Sequence, residues 1–315
     1  MHIITTTVGS YPRPEWFREY LKRMEGLQKE LDVEVDRDVL RKAVREVIDR
    51  QKKAGIELVT DGQLIWHDFL ATIASRIDGF YVDGLVRYFD NNLYYRIPVI
   101  KERIRRRGQI LYDFKIAYEI ESNIKAVLSL FTVLKLSRNI YYKSFEDSLW
   151  DLCDVLKSEI AELIDLGVKY IQFDEPSLLY ADEKELKILE DVYKELTNFE
   201  AETILMTYFR SAKSIFPYVL DFGFDVIGLD FVEGFDENLD VLREYGLENV
   251  NVGIVDGRNT KMEGIDELKM RFEKIADATE LKKVYISPNT GLEFLPDVKA
   301  YEKMKLVSRF KKVIT

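Results

Sequence analysis

The sequence predicts an α/β protein built as a single (β/α)8 barrel of the TIM type, with an insertion on its rim after the second strand. Three observations predict it. Short β-branched runs alternate with amphipathic helical stretches along the chain, the pattern of a parallel sheet covered by helices. Eight such runs can be counted, the number that closes a barrel. The polar residues capable of chemistry fall just past the ends of these runs, where a barrel gathers its functional groups. An open doubly wound sheet is the other architecture that the alternation permits, but no Gly-x-Gly-x-x-Gly or phosphate-loop motif accompanies it.

The elements follow in order. Ile3 to Val8 reads as the first strand. A helix from about Asp36 to Lys53 stops at Gly55 and leads into a second strand, Glu57 to Thr60. Lys125 to Phe131 is the third. A long helix ending at Gly167 precedes the fourth, Tyr170 to Phe173. Thr203 to Thr207, Val226 to Leu229, Val250 to Val255 and Val284 to Ser287 complete the set, with room for one helix between each pair. The stretch from Asp78 to about Ile120 breaks the rhythm. It is rich in Tyr, Arg and Asn and too long for an ordinary connection. It reads as a hairpin plus a helix on the barrel rim, where insertions commonly shape active sites or partner surfaces. No repeat or low-complexity linker interrupts the chain, so residues 1–315 are expected to form one domain.

The composition excludes several function classes. A net charge of −10 argues against nucleic acid as the main partner. The densest basic run, Lys101 to Arg107, is either a solvated face or an anchor for a polyanion. No apolar run reaches membrane-spanning length and no signal peptide is visible, so a cytoplasmic protein is expected. A single cysteine, Cys153, excludes an internal disulfide and lies in a helical pattern that suits packing. Zinc takes about four ligands from Cys, His and carboxylates. One Cys and two scattered His, His2 and His67, cannot build a thiolate-rich zinc site, so no metal is assigned.

The strand ends supply the site candidates. Gly9, Ser10 and Arg13 follow the first strand, and Ser10 with Arg13 could bind a carboxylate or phosphate. Asp61, Gly62 and Gln63 follow the second, with His67 nearby as a base beside Asp68. Asp174 and Glu175, fixed by Pro176, follow the fourth. Paired carboxylates can bind an ammonium or act as acid and base. Tyr208 follows the fifth strand, Asp230 and Glu233 the sixth, Asp256, Arg258 and Asn259 the seventh, and Asn289 the eighth. Each alone could be a turn or cap, but together they ring one end of the barrel.

These residues carry a resemblance. Thr6-Thr7-Val8-Gly9-Ser10-Tyr11-Pro12-Arg13, Ile171-Gln172-Phe173-Asp174-Glu175-Pro176 and Val255-Asp256-Gly257-Arg258-Asn259 resemble segments of cobalamin-independent methionine synthases, in order and over most of the chain. The resemblance implies a (β/α)8 barrel and methyl transfer from a methylated folate or pterin to homocysteine. The long enzymes of that family hold two barrels, a zinc-bearing C-terminal one and a zinc-free N-terminal one. This chain is more similar to the N-terminal barrel. Arg87 to Tyr95 resembles its Phe-Asp-Thr-Asn-Tyr-His-Tyr segment, and Leu229-Asp230-Phe231-Val232-Glu233-Gly234 resembles its Leu-Asp-Leu-Val-Arg-Gly. Tyr208 and Phe209 stand where the catalytic barrel has its His-x-Cys ligands. Ile286-Ser287-Pro288-Asn289-Thr290-Gly291-Leu292 resembles Asn-Pro-Asp-Cys-Gly-Leu with Thr290 at the zinc-binding cysteine. Gln63 stands at the Glu of an Asp-Gly-Glu motif that helps hold the amino-acid substrate, whereas Asp174 and Glu175 are retained.

The expectation is therefore a stand-alone barrel without the zinc ligands, serving methionine biosynthesis. It would bind the methylated pterin or folate that donates the methyl group and work with a separate zinc-bearing barrel. Arg13, Arg18 and Lys22 resemble a basic stretch that would meet the donor's anionic tail. The residues leave other readings open: a methyltransferase acting alone with an altered acceptor or metal, a noncatalytic subunit docking through residues 78–120, or a barrel decarboxylase of the uroporphyrinogen type.

Overall fold

A computed structural model describes residues 1–25, 35–89 and 94–315. β1 (His2–Thr5) leads to α1 (Glu15–Glu25) and α2 (Arg37–Ala54). Asp36 caps α2 by accepting from the Asp38 and Val39 amides. Gly55 ends it in the left-handed conformation, at φ 90°. α3 (Phe69–Ser75), β2 (Ile77–Val86), β3 (Tyr95–Arg106) and α4 (Phe114–Ile120) come next. β4 (Ala126–Leu128), α5 (Phe131–Lys135), β5 (Arg138–Asn139) and α6 (Phe145–Leu166) follow. β6 (Tyr170–Asp174), α7 (Glu183–Thr197), β7 (Glu202–Met206), β8 (Val226–Asp230) and α8 (Phe235–Tyr245) come next. β9 (Asn249–Val255), α9 (Ile265–Ala278), β10 (Lys283–Pro288) and α10 (Asp297–Ile314) complete the chain.

The main sheet is parallel and curled, in the order β1-β10-β9-β8-β7-β6-β4. The expected strand Glu57 to Thr60 lies between the sheet's two outer strands but makes only single bridges, Thr6 to Leu58 and Val59 to Ile124. The Gln51 side chain displaces the ladder at Thr60. Its Oε1 accepts from the Thr60 amide at 3.0 Å and its Nε2 donates to the Thr60 carbonyl at 2.7 Å. The expected strand Lys125 to Phe131 stops at Leu128, because the following amides turn into α5 and bond the side chain of Glu175, just past β6.

Most of residues 78–120 fall in a hairpin followed by a helix. β2 and β3 pair antiparallel, and β5 joins β3 in parallel to make a separate three-stranded sheet. The register slips at Gly79, where φ is 96° and a Cβ would stand 2.6 Å from the Arg103 carbonyl, so only glycine fits this bulge. Residues 90–93, part of the Arg87–Tyr95 resemblance, lie outside the described residues.

Two apolar layers hold the fold. The larger joins the helices to the outer side of the sheet. The smaller, which includes Val8, Ile204, Met206, Tyr208, Val226 and Tyr285, fills the concave side. Ile204 and Met206 reach it together because alternate residues of a strand share a face, and Tyr208 joins them from just beyond β7. Among the described residues no helix is long and apolar enough to cross a membrane.

Candidate functional site

A cavity of about 370 Å³ opens at the C-terminal ends of the strands, above the concave layer. Its depth is marked by Asp174, the last residue of β6. Asp174 accepts from Gln172 Nε2 at 2.6 Å, and the Tyr208 hydroxyl donates to its other oxygen at 3.4 Å. Desolvation pushes its carboxyl up to about 7, with Glu175 and Glu293 adding to the rise and Gln172 and Lys125 opposing it.

Aromatic side chains wall this floor. Tyr208, Phe209, Tyr95, Phe69, Trp66 and Phe294 all line the cavity. Phe209 holds a left-handed backbone, with φ 80°, which costs a non-glycine residue about 1–3 kcal/mol. Its amide donates to Asp230 at 2.9 Å. Its ring packs against Tyr208, Phe89 and Phe294, with the Arg258 guanidinium 5.1 Å from its centroid. Opposite, Ser10 hydrogen-bonds Glu293, whose side chain is open to the cavity yet deep among protein atoms, so desolvation raises its carboxyl.

The structure brings Ser10, Arg13, Arg18, Gln63, His67, Asp174 and Tyr208 to this cavity. Arg13 also braces it, donating to the carbonyls of Leu64 at 2.6 Å and Trp66 at 2.5 Å. The other candidates stand elsewhere. Glu175 points away from the cavity and accepts from the amides of Leu130 at 2.6 Å, Phe131 at 3.2 Å and Thr132 at 2.7 Å. It fastens the start of α5 to β6, and burial raises its carboxyl. Lys22 is exposed and pairs with Glu19 on α1. Asn259 accepts from the Lys261 amide in an exposed turn, and Asp256 accepts from the Arg258 amide. Arg258 pairs with Glu233 behind the Phe209 ring.

Asp230 and Asn289 form a buried hub behind the wall. Asp230 accepts from the Phe209, Val232 and Glu233 amides, each at 2.9 Å, and from Asn289 Nδ2 at 3.0 Å. Desolvation outweighs these bonds and pushes its carboxyl up to about 6. Asn289 Oδ1 accepts from the Gly257 amide at 2.9 Å. Sequence reasoning missed Tyr95, Glu293 and Lys125. Lys125 left a signal, a lysine at the head of an apolar strand, because a buried ammonium requires a partner.

Family membership follows from the sequence comparison. Residues 82–280 match the model of the cobalamin-independent synthase N-terminal domain. The chain belongs to the cobalamin-independent methionine synthase family. It is 29% identical over 316 residues to the methionine synthase of Saccharolobus solfataricus, covering 98% of this chain and 94% of that protein. Its fold matches a B12-independent methionine synthase from a Shewanella species in complex with selenomethionine, with TM-score 0.81 at 20% identity, covering 100% of this chain and 98% of that one. A putative vitamin-B12-independent methionine synthase from Listeria monocytogenes gives TM-score 0.77 at 18% identity, with 98% and 96% covered.

The residues of this methionine synthase family member do not fit the zinc that the family resemblance implies. Among the described residues no three His, Cys, Asp or Glu side chains group to hold a metal ion. At the positions resembling the metal-binding segments, Tyr208, Phe209 and Thr290 line the cavity, offering two hydroxyls and a ring. Cys153 is buried on α6, where desolvation pushes its thiol up to about 12.

Proposed function

We propose that this protein serves methionine biosynthesis in the cytoplasm as the methyl-donor-binding barrel of a two-chain methionine synthase. Its eight strand segments, including residues 57–60, would close as a (β/α)8 barrel, and a separate chain would supply the zinc and the homocysteine thiolate. One observation carries the reading. The cavity joins flat aromatic walls to an acid at its floor, and among the described residues no group of His, Cys, Asp or Glu side chains stands ready to hold a thiol-activating zinc ion. A methylated pterin is flat, bears N–H donors that a carboxylate can accept, and ends in an acidic tail. Phe209 and Tyr95 would stack on the ring system, Asp174 would accept its N–H groups, and Arg13 and Arg18 would draw the tail to the mouth.

The decisive assay is methyl transfer from 5-methyltetrahydropteroyl-glutamate to homocysteine, with this chain alone and with a zinc-bearing barrel from the same cell. Activity only in the mixture, together with donor binding by this chain that Asp174→Asn abolishes, is the expected result. A second reading, transfer by this chain alone to an altered acceptor, is favoured by length, since the Saccharolobus solfataricus methionine synthase is matched over 94% of its extent. Robust activity without a partner would replace the first reading by the second.

A further inference from the structure

Lys125 immediately precedes β4 and is fully buried beneath the cavity floor. An ammonium in such a place costs several kcal/mol unless another charge and good hydrogen bonds offset it. Its Nζ donates to Gln172 Oε1 at 2.5 Å. The orientation of that amide is determined by its surroundings. Gln172 Nε2 donates to the Val8 carbonyl at 2.7 Å and to Asp174 Oδ1 at 2.6 Å, so the amide oxygen has to face Lys125. The amide thus joins a lysine below the floor to the carboxylate on it.

The charges around Asp174 are unequal. Glu175 from its own strand end and Glu293 from the loop after β10 oppose its ionisation, while the Tyr208 phenol faces it as a weak donor. Lys125 is the cation that favours its ionisation, and Asp174 is the charge that acts on Lys125. Desolvation drives the two groups in opposite directions, raising the acid and lowering the amine, so each needs the other to stay charged.

We propose that Lys125 is a positioning residue that acts through Gln172 to keep the Asp174 carboxylate charged and aimed into the cavity, ready to accept N–H donors from a ligand. Without the ammonium, burial and two neighbouring acids would leave Asp174 a neutral acid, which presents an O–H where the ligand needs an acceptor. The ligand half of this inference rests on the donor-binding reading, and the charge half does not.

The test separates the two. Infrared spectra of the ligand-free protein across pH report the protonated carboxyl band of Asp174, assigned by its loss in Asp174→Asn. In Lys125→Met the pH at which the band disappears should rise by about one unit or more. An unchanged pH in a folded Lys125→Met protein, checked by thermal melting, overturns the proposal. If that variant does not fold, Lys125→Gln, which keeps a donor for Gln172 but removes the charge, is read the same way: a rise supports the proposal and no change overturns it. Quenching of Trp66 fluorescence by 5-methyltetrahydropteroyl-glutamate should show about fivefold weaker binding at pH 7 in the Lys125 variant. Equal affinities there would also count against it. A wild-type protein that binds no methylpterin refutes the donor-binding reading, while the infrared result still decides the role of Lys125.

Discussion

Glu175 offers a direct way to separate the adjacent acids at the end of β6. Its carboxylate accepts three amides at the start of α5, at 2.6, 3.2 and 2.7 Å, and the Ser129 hydroxyl stands 3.4 Å from it. All of these groups are buried. Glu175→Ala leaves three main-chain donors without an acceptor and without access to water. Each such loss costs about 1–3 kcal/mol, and partial relaxation of the short helix brings the expected total to about 3–5 kcal/mol. Glu175→Gln keeps one oxygen for Leu130 and Phe131 but turns an NH2 group towards the Thr132 amide, so its cost should be about 2 kcal/mol. Urea unfolding at pH 7, followed by circular dichroism, measures both. Methylpterin binding by whatever folded protein remains should stay close to wild type. An alanine variant within about 0.5 kcal/mol of the parent, yet unable to bind donor, would refute this reasoning and make Glu175 a ligand-facing acid after all.

Further predictions concern Asp61 and Phe209. Asp61 is buried, and desolvation, with Asp113 adding to it, pushes its carboxyl up to about 7 against the pull of Arg76. A folded-state value above the unfolded 3.8 means that folding favours the neutral acid, so this contribution is complete below about pH 4 and is lost as pH rises to about 7. Asp61→Asn keeps an oxygen for the Gln63 amide and should stabilise the protein by on the order of 1–3 kcal/mol at pH 8 but very little at pH 4. Equal urea midpoints for the two proteins at pH 8 would contradict this. Phe209→Ala removes the ring held between Tyr208, Phe89 and Arg258 and should weaken methylpterin binding about tenfold. Calorimetric titration showing wild-type affinity would exclude Phe209 as the stacking surface.

The later strands were legible because their β-branched runs coincide with buried ladders, and β6 to β10 lie where those runs stand. Residues 57–60 show the limit of that signal. Their pattern is that of a strand, but a glutamine one helix away captures the backbone at Thr60, and a side chain's reach is invisible in a hydropathy pattern. The acids at 174 and 175 look equivalent in sequence. The end of the strand separates them: Asp174 closes β6 on the cavity side, whereas Glu175, just beyond it, turns to the amides at the start of α5. Glu293 lies in a loop with no periodicity, and only the parallel bridge that sets Ser10 beside Gly62 and the packing of the β10 loop against it bring this acid to the site.

Several predicted site residues that do not touch the cavity nonetheless govern its shape. A phenylalanine in the left-handed region persists only where its surroundings over-determine it. Here Asp230 supplies the constraint twice. It holds the Phe209 amide directly, and it holds the amides of Val232 and Glu233 in the turn whose Glu233 side chain pairs with Arg258 over the Phe209 ring. Asn289 links the same carboxylate to the Gly257 amide, beside Arg258. The ends of β8, β9 and β10 are therefore tied to one buried acid, and that acid fixes one aromatic ring. A wall assembled before any ligand arrives lowers the entropy lost on binding a flat molecule. Tyr208 and Phe209 occupy the segment that resembles the family's metal-binding one, and in this chain the strand-end network around that segment would support the stacking surface proposed for the methylpterin.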